Sequence, residues 1–176
     1  MSASAPELVR LVRDGDVATL LFDDPDRRNA MTRAMGEAFR DRVAELCLDE
    51  GLRAVVVSGV GRAFSAGGDL DMLERQAALG SESPGTAWRS IRDEMASFYR
   101  LFLAVRDLPC PTIAAIQGAA VGAGLCVALG CDLRYVAADA QLGLNFAKLG
   151  LHPGMAATWT LPRLVGPDQA AEHLYT

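Results

Sequence analysis

Two stretches of this sequence could hold a developing negative charge with backbone alone. Residues 64–70, "FSAGGDL", and residues 112–124, "TIAAIQGAAVGAG", each lead strand-like apolar residues through glycines into a helical pattern. The first turn of a helix leaves N–H groups without partners, and its dipole favours negative charge. Two such N–H groups facing one another can take a carbonyl oxygen as it gains charge. The small residues of "GAAVGAGLCVALGC", 118–131, let backbone approach closely while offering almost no side chain able to do chemistry. Singly, each stretch also reads as a strand-to-helix turn that needs glycine; the pairing points to a site.

Other chemistries for the same residues fit less well. From Gly122 and Gly124 the third glycine of a dinucleotide fingerprint would fall at Val127, and no GK[ST] follows any glycine run, so neither phosphate loop is present. "AFSAG" around Ser65 approaches the GxSxG nucleophile elbow with Ala63 in the first glycine's place, and His152 or His173 could serve as base; Ser65 also fits a plain turn. Cys47, Cys110, Cys126 and Cys131 lack CxxC spacing and paired histidines, so no metal site is expected, and reduced, mostly buried thiols are. Arg27 and Arg28 stand side by side in "DPDRRNAM", where they can pair with phosphate oxygens or belong to a solvated turn.

The elements that must position these residues alternate along the chain. "LVRLV" and "VATLLF" around "RDGD" predict a hairpin with an Asp-Gly turn. Thr32 is placed to cap a helix over 33–50 that Gly51 ends, and "RAVVVSGV" reads as a strand buried on both faces. A helix is expected from Leu70, a polar linker over 80–86, a long amphipathic helix over 87–108 stopped by Pro109 and Pro111, a strand over 112–118, another over 132–138, and a helix from 166. Alternation of this kind predicts an α/β fold with a largely parallel sheet. The last apolar pattern, Ala170, Ala171 and Leu174, still runs at Thr176, so the expectation is a chain cut short or completed by a partner.

Composition narrows the class. At 176 residues, with 51% hydrophobic and 22% charged content, the chain is expected to form one domain with a real core. A net charge of −5 with scattered arginines argues against a general nucleic-acid binder. The start "MSASAPELVRLVRDGDV" lacks a secretory pattern, and the weakly charged segment 107–131 is broken by prolines and glycines, so no membrane span is expected. A soluble, cytoplasmic protein is the reading.

The sequence resembles the enoyl-CoA hydratase/isomerase (crotonase) superfamily over nearly its whole length. "DPDRRNAM", "GRAFSAGGDL", "PTIAAIQGAAVGAGLCVALGCDLRYVAADAQLGL" and "LGLHPGMAATWTLPRLVG" carry the likeness. It implies a crotonase-like spiral of ββα units over 1–176, an acyl-CoA thioester as ligand, no cofactor beyond the coenzyme A of the substrate, and a homotrimer or hexamer built through C-terminal helices that this chain lacks. By that resemblance Gly68 and Ala123 supply the oxyanion N–H groups, with alanine where glycine is usual. Arg27 and Arg28 face phosphates, while Ala66, Gly67 and Leu70 line the path of adenine and pantetheine.

The two glutamates of the family's hydratases fall at Cys126 and Phe146, neither of which is a carboxylate. A thiol in an apolar stretch is expected to have a raised pKa and to serve packing, and Phe146 can only shape an acyl pocket. Remaining acid-base candidates are Asp69, which also suits a helix cap, Asp71, and His152, whose turn before Pro153 gives it a structural reading beside the catalytic one. Asn145 could orient water or a carbonyl. Two functions follow: an isomerase or other enolate chemistry with its base outside the usual positions, or a non-catalytic acyl-CoA carrier or regulator.

Overall fold

A two-residue loop, Gly15-Asp16, joins β1 (Val9–Asp14) to β2 (Val17–Phe22) as an antiparallel hairpin, and Gly15 takes the φ of +58° that the reversal needs. The computed structural model describes residues 7–176; the reading of residues 1–6 as free of a leader lies outside them. Thr32 caps α1 (Arg33–Cys47) as expected, its Oγ1 accepting from Met35 N at 3.1 Å. Met35, Phe39, Val43 and Leu46 form the buried stripe of that helix.

From there the chain repeats one unit. A strand of the larger sheet is followed by a short strand of a smaller one and then by helix. β3 (Ala54–Gly59) leads to β4 (Ala63–Ser65), then α2 (Leu70–Glu82) and α3 (Pro84–Leu103). β5 (Thr112–Ile116) leads to β6 (Ala119–Val121), then α4 (Ala123–Gly130). β7 (Leu133–Val136) leads to β8 (Leu142–Gly143), then α5 (Ala157–Val165) and α6 (Pro167–Tyr175). The larger sheet has the order β1-β2-β3-β5-β7, parallel beyond the hairpin, and the smaller the order β4-β6-β8, parallel throughout. This is an α/β spiral of ββα units, the architecture that the resemblance implies.

Phenylalanines lock the turns of the spiral together. Phe22 of β2 stands 5.3 Å from Phe39 of α1 and 5.7 Å, edge-on, from Phe64 of β4; Phe98 and Phe102 of α3 are 5.2 Å apart, and Phe102 stacks on Phe39. All five are buried, each side chain contributing about 1.5–3 kcal/mol relative to exposure. No helix among the described residues is long and apolar enough to cross a membrane.

Several expectations need correction. The polar linker over 80–86 is absent: Ser81 and Glu82 finish α2, and Pro84 opens α3, where its missing N–H leaves no partner wanting. The long helix ends at Leu103 and tightens to a 3-10 turn over Ala104–Asp107. The strand at 112–118 stops at Ile116, and the chain steps into the second sheet at Gly118, whose Cα lies against the Arg62 carbonyl too closely for a Cβ. β3 is buried on one face only, with Val56 half-buried on the other. Of the four free thiols Cys126 and Cys131 are buried, Cys47 is exposed and Cys110 half-buried. Helix α5 was unanticipated, since Pro162 lies inside it.

Candidate functional site

The loop between β4 and α2 is gripped from two sides. On one, Ala66 N donates to Arg28 O (2.9 Å), Met31 N to Gly67 O (2.8 Å) and Asp69 N to Met31 O (3.3 Å), a parallel bridge pairing Met31 with Gly68. On the other, Gly67 meets the end of β6: a Cβ there would stand 2.7 Å from Val121 O and 3.7 Å from Ala123 N. Gly67 also has a φ of +94°, so this position demands glycine for conformation and for space. Gly122, at φ +52°, then turns the chain from β6 into α4, whose first residue is Ala123.

This arrangement leaves two N–H groups uncommitted on adjoining loops. Among the described residues no backbone carbonyl accepts from the N–H of Gly68 or of Ala123. The Met31 bridge uses the Gly67 carbonyl and the Asp69 N–H and passes over Gly68 N, and Ala123 is at a helix start, where the ladder offers no acceptor. Both residues line a cavity of about 780 Å³. Donors fixed this way, at the mouth of a helix, can stabilise an oxyanion without reorganising.

A buried amide sets the grip. Asn29, with φ +55°, accepts from Asp24 N at 2.9 Å and donates through Nδ2 to Ala63 O (2.8 Å), Val60 O (3.1 Å) and Phe64 O (3.3 Å). Its own carbonyl accepts from Ser65 Oγ at 2.7 Å. Ser65 is fully buried, and Gly67 N donates to its Oγ at 3.2 Å. That serine is a loop strut outside the cavity lining, with no histidine among its partners, which removes the basis for an elbow nucleophile.

Of the residues singled out by resemblance, Arg27, Ala66, Gly67, Leu70, Phe146 and His152 line the cavity together with Gly68 and Ala123. Arg28 does not; it is exposed in a left-handed turn at φ +53°. Arg27 reaches Asp69, its Nη2 3.1 Å from Oδ2, while Asp69 Oδ1 accepts from Asp71 N at 3.0 Å and caps α2. The capping expectation for Asp69 therefore holds. His152 is exposed on the cavity rim and His173 is exposed on α6. Asn145 Oδ1 stands 3.6 Å from where a Cβ on Gly122 would be, close to the start of α4. Cys126 is buried, its thiol pushed up to about 12 by desolvation, with Sγ 3.8 Å from Gly154 O; it acts as packing.

Beyond Leu70, the sequence reading missed the contribution of α2 and α3 to the cavity. Met72 and Leu73 come from α2, and Ile91, Met95, Phe98 and Tyr99 from α3. The helical spacing of Met95, Phe98, Tyr99 and Phe102 was visible as an apolar face, but periodicity does not separate a face turned to a core from one turned to a cavity.

The sequence model of the enoyl-CoA hydratase/isomerase family matches residues 13–176. The chain belongs to the enoyl-CoA hydratase/isomerase family. Among its relatives, the Mycobacterium tuberculosis protein named "Probable enoyl-CoA hydratase echA14" is 44% identical over 162 residues, covering 92% of this chain and 59% of that protein. An enoyl-CoA hydratase of Bacillus anthracis has a similar structure, with a TM-score of 0.82 at 30% identity over 96% of this chain and 62% of the other. A Thermobifida fusca chain in complex with acetoacetyl-CoA gives a TM-score of 0.78 at 33% identity over 96% and 66%. The chain thus spans about three-fifths of the length of the curated family member that it matches at 44% identity.

Proposed function

We propose that the cavity binds an acyl-CoA thioester with its carbonyl oxygen between the N–H groups of Gly68 and Ala123. One observation carries this reading: two donors without acceptors stand on adjoining glycine loops at the wall of one cavity. Negative charge that develops on the thioester oxygen in an enolate is stabilised there by fixed dipoles. Arg27 is the phosphate contact on the rim, exchanging its link to Asp69 for a phosphate oxygen, and Arg28 is a second contact from outside the cavity. Ala66, Gly67 and Leu70 line the pantetheine path, and Phe146 shapes the acyl end.

Cys126 and Phe146 stand where the family's hydratases carry glutamates, so the reading is an isomerase or related enolate chemistry, with His152 as the acid-base group. The same two positions favour a second reading, an acyl-CoA carrier without turnover. A cytoplasmic trimer is the assembly the resemblance implies.

Calorimetric titration of the full chain with crotonyl-CoA and with its thioether analogue, which lacks the carbonyl, tests the binding mode. Two hydrogen bonds to one oxygen predict about tenfold or more in favour of the thioester. Equal affinities would remove the oxyanion reading. Turnover of 2-enoyl-CoA or 3-enoyl-CoA that disappears in His152→Ala selects the enzyme; tight binding with no turnover selects the carrier.

A further inference from the structure

Helix α4 has no polar side chain except the Cys126 thiol, and its residues from Ala123 to Leu129 are buried. Its polar parts are therefore its two ends. At the first, Ala123 lines the cavity. At the second, Val127 O accepts from Cys131 Sγ at 3.6 Å, and the Arg134 guanidinium lies across the carbonyls that follow. Arg134 Nη1 donates to Cys131 O at 2.6 Å and to Ala128 O at 3.4 Å, and Nη2 donates to Asp132 O at 3.1 Å. Among the described residues no carboxylate forms an ion pair with Arg134. The nearby Asp132 carboxylate is committed to β5, where its Oδ2 accepts from Thr112 N and from Thr112 Oγ1, each at 2.8 Å. Those bonds, the backbone one first, hold it below the usual carboxylate range.

A helix behaves as if it carried about half a positive charge at its N–H end and half a negative charge at its carbonyl end. A cation seated on the carbonyl end cancels the negative pole, which leaves the positive pole at the other end less opposed. From Ala123 to Cys131 is eight residues, an axial span of about 12 Å. At an effective dielectric of about 20–40, a unit charge at that distance shifts an equilibrium that creates one negative charge by about three- to tenfold. Arg106 reinforces the same end: its Cγ and Cδ would stand 3.8 and 4.0 Å from a Cβ on Gly130, and its guanidinium lies over the Trp159 ring at 5.0 Å.

We propose that Arg134 is a positioning residue for the oxyanion site, acting through α4: seated on the carbonyl end of that helix, its charge strengthens the hold of the Ala123 N–H on a developing negative charge. This rests on the oxyanion reading above.

The test uses acetoacetyl-CoA, whose enolate carries a full negative charge and differs from the keto form in near-ultraviolet absorption. The ratio of enolate to keto form in the bound ligand is read at one fixed pH, with protein in saturating excess. The full chain is compared with Arg134→Gln, Arg134→Lys and Asp132→Asn. The wild-type ratio should exceed that of free ligand. Arg134→Gln should lower it by about three- to tenfold, and Arg134→Lys, which keeps the charge, should retain most of it. In Asp132→Asn the amide oxygen can still accept from Thr112 while the negative charge is gone, so the ratio should rise, by up to about threefold. Loosening of α4 can only lower the ratio, so that rise separates charge from packing and decides the matter even if Arg134→Gln does not fold. An unchanged ratio in Arg134→Gln, equal losses in the glutamine and lysine variants, or no rise in Asp132→Asn overturns the assignment while leaving the oxyanion reading intact. A wild-type ratio no higher than that of free ligand overturns both.

Discussion

Gly67→Ala tests whether contact between the two glycine loops creates the site. Its added methyl meets two penalties. At φ +94° an L-residue is strained by about 1–2 kcal/mol. The Cβ would also stand 2.7 Å from Val121 O, and relief to about 3.5 Å requires the loops to part by roughly 0.8 Å. Overpacking of that order adds about 1–3 kcal/mol, for a total of about 2–5 kcal/mol. Gly15→Ala separates the two penalties, since Gly15 has φ +58° with nothing within 4 Å of its Cβ; it should lose only the backbone part. Urea unfolding of both variants gives the difference. The same opening moves Gly68 N relative to Ala123 N, so the preference of Gly67→Ala for crotonyl-CoA over its thioether analogue should fall to near unity. If Gly67→Ala is no less stable than Gly15→Ala and keeps the preference, the loops do not act as a pair.

Asn29→Ala should be among the costliest single changes, at about 3–5 kcal/mol. It removes the partner of three carbonyls and one N–H in a buried turn and places alanine at φ +55°. Asn29→Gly spares only the backbone part, so urea midpoints should rank wild type, Asn29→Gly, Asn29→Ala; near-wild-type stability of either variant would refute the strut. The buried thiols of Cys126 and Cys131, both pushed up to about 12, predict alkaline instability. The unfolded thiols titrate near ~8.5 while the folded ones keep their protons, so their contribution is complete below that pH and declines as pH rises toward 12. Each steepens the loss by about 1.4 kcal/mol per pH unit, and Cys126→Ala should remove one such increment between pH 9 and 10.5 in urea titrations. An unchanged slope would mean the thiol titrates normally.

The strands of the larger sheet, the first helix and both glycine loops were legible because each is written locally. Valine runs, Thr32 as a cap and glycines between strand and helix have meaning within a few residues. The smaller sheet was not legible: β4, β6 and β8 are two or three residues long and become strands only by pairing across the spiral. No hydrophobic period can declare itself over so short a length. The break at Ser83 was misread for a related reason, because serine, proline and glycine mark a linker and a helix start equally well.

The division of labour at the site follows the same line. On the proposed reading Gly68 and Ala123 act through backbone, so the requirement falls on neighbours whose side chains are absent or buried, Gly67, Gly122 and Asn29, rather than on the donors themselves. Alanine at 123 is tolerated because a helix start at φ in the ordinary range has room for a methyl, whereas Gly67 faces the Val121 carbonyl. Glycine loops therefore show where an oxyanion could sit. What reacts there depends on side chains brought by α3 and by the chain around His152, over twenty residues away on either side of α4 in sequence. By the resemblance, the family's glutamate positions fall at Cys126 and Phe146, and those changes of side chain leave the Gly68 and Ala123 N–H groups intact. Family membership consequently speaks to the ligand more directly than to the reaction.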